Sequence, residues 1–331
     1  MPGMLPDGRR MGVHLALADG MVEAADRAAA IGATAIQIFT DNPATYRRRI
    51  GPSPELGAFR DRLSGHRIAP LAIHGSYLIN PAAADERLHE RSIELLVSEL
   101  VVARTLGARF VNIHIGSHRG AGIPAGIVRL VAALRQAIAI ATPDPATAAA
   151  ANQDAEPVIT LENSAGGGGG LGVDLDELAA IASALHAAGL PRERVGFCLD
   201  TAHAWGAGID LADRAATDAF LGGFADRIGI DRLPLLHLND SRSELGSRLD
   251  RHEHLGAGRI GAAGLGHLLR HPLLVGATVI LETPGMDVGY DAINLGRALA
   301  LARDEPLASL PPEAFALNGS RARAATPTPH S

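Results

Sequence analysis

PVITLENSAGGGGGLGVDLDELAAIASALHAAGLPRERVGFCLD (Pro157–Asp200) carries the pattern that decides the fold. Two short apolar runs, Pro157–Glu162 and Arg194–Asp200, each end on a carboxylate. Between them Leu175–Ala188 has apolar residues at helical spacing, so the unit reads as strand, helix, strand. The same alternation extends in both directions. Further strands are expected at Gly12–Leu17, Ala33–Phe39, Leu71–His74, Arg109–His114, Pro234–Leu238 and Ala277–Glu282. Helical periodicity marks Met21–Ile31, Asp85–Leu106, Ile127–Ile140 and Leu211–Phe224. Runs rich in Val, Ile and Leu suit strands buried on both faces. Eight strands alternating with helices over about 300 residues predict an α/β fold, a (β/α)8 TIM barrel. An open doubly wound sheet is the alternative, but no strand–GxGxxG–helix unit stands near the N-terminus.

The predicted organisation is one catalytic barrel over residues 1–304, with a surface insertion at about 141–156. A Pro/Ala/Arg-rich tail, 305–331, is expected to be poorly ordered. The chain has 331 residues, 47% hydrophobic and 20% charged, with a formal charge of -6. All 30 basic residues are arginine. Without a lysine, a Schiff-base aldolase, a lysine-dependent DNA lyase and a P-loop NTPase are excluded. Cys198 is the single cysteine, so no internal disulfide forms. No signal peptide and no run of 18 apolar residues is read. The expectation is a soluble cytoplasmic protein, nucleoid-associated when acting on DNA, monomeric, without membrane or nucleotide-cofactor partners.

Chemistry in such a barrel sits at the C-terminal ends of the strands. There stand His14, Phe39, His74, His114, Glu162, Asp200, His237 and Glu282. One strand-end His, or one carboxylate that caps the next helix, is ordinary structure; seven in register on successive strands point to metal. His203 follows in DTAH, and Asp250 and His252 alternate in the loop RLDRHEH, where His254 is a competing donor. Such a donor set is too large for one tetrahedral ion. It suits two or three metals sharing a carboxylate, the device for in-line displacement at phosphorus. Zn2+ is expected, three per chain, with Mn2+ or Fe2+ acceptable at some sites. Three such ions outweigh four carboxylates, so an acidic protein could still hold an anion there.

The blocks HGSYLIN (His74–Asn80), NIHIGSH (Asn112–His118), LENSAG (Leu161–Gly166), GFCLDTAHAWGAGID (Gly196–Asp210), HLNDS (His237–Ser241), GSRLDRHEHLGAGRIG (Gly246–Gly261) and ILET (Ile280–Thr283) resemble the endonuclease IV family of trizinc apurinic/apyrimidinic endonucleases. The resemblance implies that His74 and His114 hold one zinc, bridged by Glu162 to a second that Asp200, His237 and Glu282 complete. His203, Asp250 and His252 hold the third. It implies hydrolysis of the phosphodiester 5′ to an abasic site, leaving a 3′-hydroxyl and a 5′-deoxyribose phosphate, with trimming of blocked 3′ ends in base excision repair. The partner is damaged double-stranded DNA. Glu162 and Glu282 would be catalytic, Glu282 also orienting the attacking water.

Ser76, Asn112, Ser117, Asn239 and Asp240 are expected to support the metals or contact phosphate. Tyr77 and Leu78 resemble the family's wedge into the base stack. Arg47, Arg48, Arg49, Arg119, Arg242, Arg248 and Arg251 are candidate phosphate contacts. Departures from the family pattern are Ile115 for a usual Pro, Ala44 and Thr45 in the loop after the second strand, Tyr46 for a usual Trp, Ala257 for an acidic residue, and the long Gly166–Gly170 run. They bear on substrate affinity rather than reaction type. Two rivals remain. A sugar isomerase or epimerase on a related barrel leaves His203, Asp250 and His252 without work; a module that binds damage without cutting needs no such ligand set.

Overall fold

A computed structural model describes residues 3–49, 51–142 and 156–316. The strands are β1 (Met11–Leu15), β2 (Ala35–Ile38), β3 (Leu71–His74), β4 (Phe110–His114), β5 (Val158–Glu162), β6 (Val195–Asp200), β7 (Leu235–His237), β8 (Asp240–Ser241), β9 (His252–Glu253) and β10 (Thr278–Leu281). The α-helices are α1 (Met21–Ala30), α2 (Leu56–His66), α3 (Glu86–Leu106), α4 (Ile123–Ala141), α5 (Leu175–Ala187), α6 (Thr201–Ala207), α7 (Arg214–Arg227), α8 (Gly261–Leu269) and α9 (Tyr290–Arg303). Eight parallel strands close a barrel in the order β1-β10-β7-β6-β5-β4-β3-β2, while β8 and β9 pair antiparallel outside it. The predicted TIM barrel is the observed fold.

Side chains alternate across a strand, so each barrel strand sends every second residue inward. Ala35, Ala72, Phe110, Val158, Cys198, Leu235 and Ile280 form one buried apolar cluster, the floor of the barrel interior. Two residues further along, the same parity gives Gln37, His74, Asn112, Thr160, Asp200, His237 and Glu282. On β4 and β5 one more step gives His114 and Glu162, which lie opposite each other in register. A dry floor thus carries a polar layer at the C-terminal mouth. β1 enters by way of Gly12, where a Cβ would sit 1.8 Å from the Ala35 carbonyl oxygen; any side chain would push β1 off β2.

The larger apolar cluster lies between strands and helices, with Phe59, Leu96, Leu100, Leu130 and Leu134 fully buried. Burying each such side chain contributes roughly 1.5–3 kcal/mol. Helix ends follow local chemistry. α7 begins at Arg214 rather than at Leu211 because the Asp213 side chain accepts from the Ala216 amide and caps it. α4 begins at Ile123, ahead of the expected Ile127, with Pro124 in its first turn. α4 is also long and apolar enough to cross a membrane by length and composition. Here its Leu130, Ala133, Leu134 and Ala137 are buried in the main apolar cluster.

Most of the insertion (143–155) and the end of the tail (317–331) lie outside the described residues. The first part of the tail is held against the barrel. The Arg297 guanidinium donates to the Leu255 and Ala308 carbonyls, and His254 Nε2 meets the Ala314 carbonyl at 3.2 Å. A buried guanidinium needs acceptors, and this segment supplies one.

Candidate metal centre

The barrel mouth opens into a cavity of about 620 Å³ lined by His14, Phe39, His74, Tyr77, His114, Glu162, His203, Arg242, Asp250, Arg251, His252 and Glu282, among others. All nine expected ligands converge on it or on its floor. His74, His114 and Glu162 form one group of donor atoms; Glu162, Asp200, His237 and Glu282 form a second; Asp200, His203 and His252 form a third. Within each group the donor atoms lie within 4.8 Å of one another. Asp250 joins the third from the β8–β9 loop, 3.3 Å from His203 Nε2 and 3.1 Å from His252 Nε2. His203 comes from the first turn of α6, where Asp200 is the N-cap and accepts from its amide at 2.8 Å.

Hydrogen bonds fix which ring nitrogen faces the centre. His74 Nδ1 meets the Gly75 carbonyl at 2.8 Å, His203 Nδ1 the Asn163 carbonyl at 3.0 Å, and His252 Nδ1 the Glu282 carbonyl at 2.8 Å. A carbonyl accepts, so each of these nitrogens carries a hydrogen, and the other nitrogen turns to the carboxylates. His237 Nδ1, His252 Nε2 and Glu162 Oε1 are buried without a hydrogen-bond partner. Imidazole nitrogens and carboxylate oxygens that face each other across 3.3–3.9 Å need a cation or protons between them. This donor set of imidazole and carboxylate fits divalent zinc, manganese or iron.

Electrostatics describe the same centre without metal. Burial would raise the Glu162 carboxyl, but His237, His114 and His203 outweigh it and hold it well below the usual range. Burial would lower His252, yet Asp200 and Asp250 push it up to about 10. His203 and His237 are likewise driven well above 6.5 against their burial, His203 by Asp200, Asp250 and Glu162, His237 by Cys198, Glu282 and Glu162.

A second ring of side chains holds the carboxylates. Asn112 donates to Glu162 Oε2 and accepts from Thr160 at 2.9 Å. Asn239 donates to Asp200 Oδ2 at 2.7 Å and accepts the Glu282 amide at 2.9 Å. Ser76 and Ser117 instead brace loops, donating to the Pro43 and Gly168 carbonyls. Asp240 is turned away from the centre: its buried carboxylate accepts amides from Ser241, Gly256, Gly258, Ile260 and Gly261 and ties down the loop after β9. Asp240→Ala strands these amides, at about 1–3 kcal/mol for each that stays buried and unpaired. Denaturant unfolding should show a loss on the order of 3 kcal/mol or more, and a loss under about 1 kcal/mol would refute the anchoring role.

Tyr77 is 54% exposed at the cavity rim, its ring edge-on to Phe39 at 5.1 Å. Leu78 is partly buried and packs on the main apolar cluster. Arg242 and Arg251 line the cavity. Arg47, Arg49, Arg119 and Arg248 are exposed, whereas Arg48 lies 3.7 Å from the buried Glu99. His254 is fully buried against Asn294 and away from the ligands. Among residues that sequence reading missed, Gln37 stands out: it is inward on β2 at the level of the ligands and fully buried.

Comparison with known proteins agrees with this geometry. The probable endonuclease 4 of Methanoculleus marisnigri is 38% identical over 292 residues, covering 88% of this chain and 98% of that one. The chain belongs to the endonuclease IV family. A family model described as xylose isomerase-like TIM barrel matches residues 25–306. The crystal structure of endonuclease IV from Thermus thermophilus superposes with a TM-score of 0.75 at 34% identity, covering 89% of this chain and 99% of that one. A D-tagatose 3-epimerase-like protein shares the fold at 18% identity and a TM-score of 0.62, covering 89% of this chain and 97% of that one. At that identity the fold alone is common.

Proposed function

We propose that this chain hydrolyses the phosphodiester 5′ to abasic sites in double-stranded DNA, with zinc at three positions, and trims blocked 3′ ends in base excision repair. As a member of the endonuclease IV family it is a DNA-cleaving hydrolase. The observation that carries the finer reading is the convergence of nine imidazole and carboxylate side chains on one open cavity with arginine at its wall. His74, His114 and Glu162 would hold one ion, Glu162 with Asp200, His237 and Glu282 a second, and His203, Asp250 and His252 a third. Ions so held supply Lewis acidity toward the oxygens of a phosphodiester and make water a better nucleophile near neutral pH.

The rest falls to the protein. The P–O3′ bond breaks, the oxygen of water stays on phosphorus, and a proton ends on the 3′-oxygen. Arg242 and Arg251 at the wall attract phosphate. Tyr77, exposed at the rim, is placed to stack where a base is missing. The barrel wall and Asn112 keep Glu162 in a dry site where its charge is fixed. No lysine is present to form a Schiff base with an abasic aldehyde, which favours hydrolysis over β-elimination. The reading is of a cytoplasmic monomer whose open mouth admits duplex DNA. The isomerase reading would leave His203, Asp250 and His252 idle.

The test is a duplex bearing one tetrahydrofuran abasic analogue, which has no aldehyde for a lyase. Incision on its 5′ side leaving a 3′-hydroxyl is expected, abolished by chelator and restored by zinc. No incision by zinc-loaded protein would overturn the proposal and redirect the search to ketose and aldose substrates.

A further inference from the structure

Six barrel strands each end in an expected ligand: β3 in His74, β4 in His114, β5 in Glu162, β6 in Asp200, β7 in His237 and, one residue past its end, β10 in Glu282. The two remaining strands, β1 and β2, supply none. Their inward residues at the same level are His14 and Gln37, neighbours in register and 3% and 0% exposed. Both touch the ligands. Gln37 Nε2 donates to Glu282 Oε1 at 2.6 Å, and Gln37 Oε1 is 3.0 Å from His237 Nε2. His14 Nδ1 is 2.9 Å from the same Glu282 Oε1.

The polarities close in one way. Glu282 Oε1 is an acceptor, so the amide nitrogen of Gln37 faces it and the amide oxygen faces His237. That oxygen accepts, so His237 carries its hydrogen on Nε2 and leaves Nδ1 as a lone pair. His237 Nδ1 is the atom that is buried without a partner, and it lies 3.3 Å from Glu282 Oε2. His14 Nδ1 must then also donate to Glu282 Oε1, and its 3.1 Å approach to Gln37 Nε2 is a contact between two donors of one acceptor. Oε1 is occupied from two sides and Oε2 is left for the centre.

We infer that Gln37 and His14 are positioning residues for the ion between His237 and Glu282. Gln37 fixes the tautomer of one ligand and the orientation of the other, and His14 locks the carboxylate. The inference rests on the proposed reading that this centre holds divalent metal. It assigns work to the two strands that bear no ligand, and it makes His237 and Glu282 act as one unit.

The test measures chelator competition on zinc-loaded protein together with steady-state cleavage. Gln37→Met keeps the volume and removes both hydrogen bonds. It should weaken one zinc equivalent by about 10–100-fold, lower kcat, and leave KM for abasic duplex within about twofold. Excess zinc should restore kcat in part, which a merely structural defect would not allow. His14→Phe, which keeps a ring beside Phe39, should give a smaller loss in the same direction, and His14→Gln, which keeps a donor, should recover part of it. If Gln37→Met does not fold, the two His14 variants decide. Wild-type zinc retention and kcat in the folded variants would overturn the inference. If wild-type protein itself retains no divalent ion, the proposed function fails instead, and the two failures are distinct.

Discussion

Glu162→Gln should lower cleavage of an abasic duplex by on the order of 10³-fold and strip more than one ion from the protein. The reason is the number of groups that converge on this one carboxylate. Its oxygens lie 3.4 Å from His74 Nε2, 3.8 Å from His114 Nε2, 3.2 Å from His203 Nδ1 and 3.5 Å from His237 Nδ1. It is common to two of the three donor groups, so its loss is not confined to one position. Glutamine preserves shape but removes the charge, and its amide nitrogen would have to face either an imidazole or Asn112, which already donates to the site. A single carboxylate serving one ion would cost less, since the other donors could close around it. Metal content and kcat measured on folded variant protein check the prediction. A variant that keeps full zinc content, or cuts within about tenfold of wild type, would show that Glu162 is not shared.

How much of this was legible beforehand depended on how local each signal is. The barrel was readable because each strand is a short apolar run and the strand–helix alternation repeats. β3 was expected at its observed limits, and the other barrel strands within a few residues. Six ligands are readable because five of them close those runs and His237 stands one residue before the end of its own. Gln37 is not, because the apolar run Ala33–Phe39 ends on Phe39, whereas β2 stops at Ile38. The inward parity set by Ala35 passes through Gln37, and parity counted from the apolar floor would have found it. Leu56–His66 is not legible as a helix because its apolar positions are few, Phe59 and Leu63 being the buried ones. Asp240 looked like a site residue beside His237, but its role depends on amides up to 21 residues away. The packing of Ala308 and Ala314 near Arg297 and His254 likewise comes from contacts distant in sequence.

Removing the metal should convert the centre into a proton-holding cluster, and the stability gap between loaded and stripped protein should widen as pH rises. In the metal-free form burial works against charge on His252, His203 and His237, but the surrounding acids prevail and raise all three above 6.5, His252 to about 10. A raised folded pKa contributes stability that is complete below the unfolded value and is lost as pH climbs through the folded one. For His252 that loss runs from about 6.5 to about 10. The lowered carboxylates Glu162 and Glu282 act at the other end, stabilising above their ordinary value of 4.5 and failing as pH falls through their folded values. Stripped protein should therefore be most stable between about pH 4.5 and 6.5. Loading requires neutral imidazole, so each ion displaces protons and binds more tightly at higher pH. Each proton displaced adds about 1.4 kcal/mol to the gap per pH unit, and the imidazoles raised against their burial are His203, His237, His252 and, through Glu162 and Glu282, His74. Thermal unfolding of both forms at about pH 6, 7 and 8.5 would read the gap directly. Zinc added to stripped protein in weak buffer should acidify the solution. A gap that narrows with pH, or loading without proton release, would mean that the ligand histidines are already neutral in the empty fold.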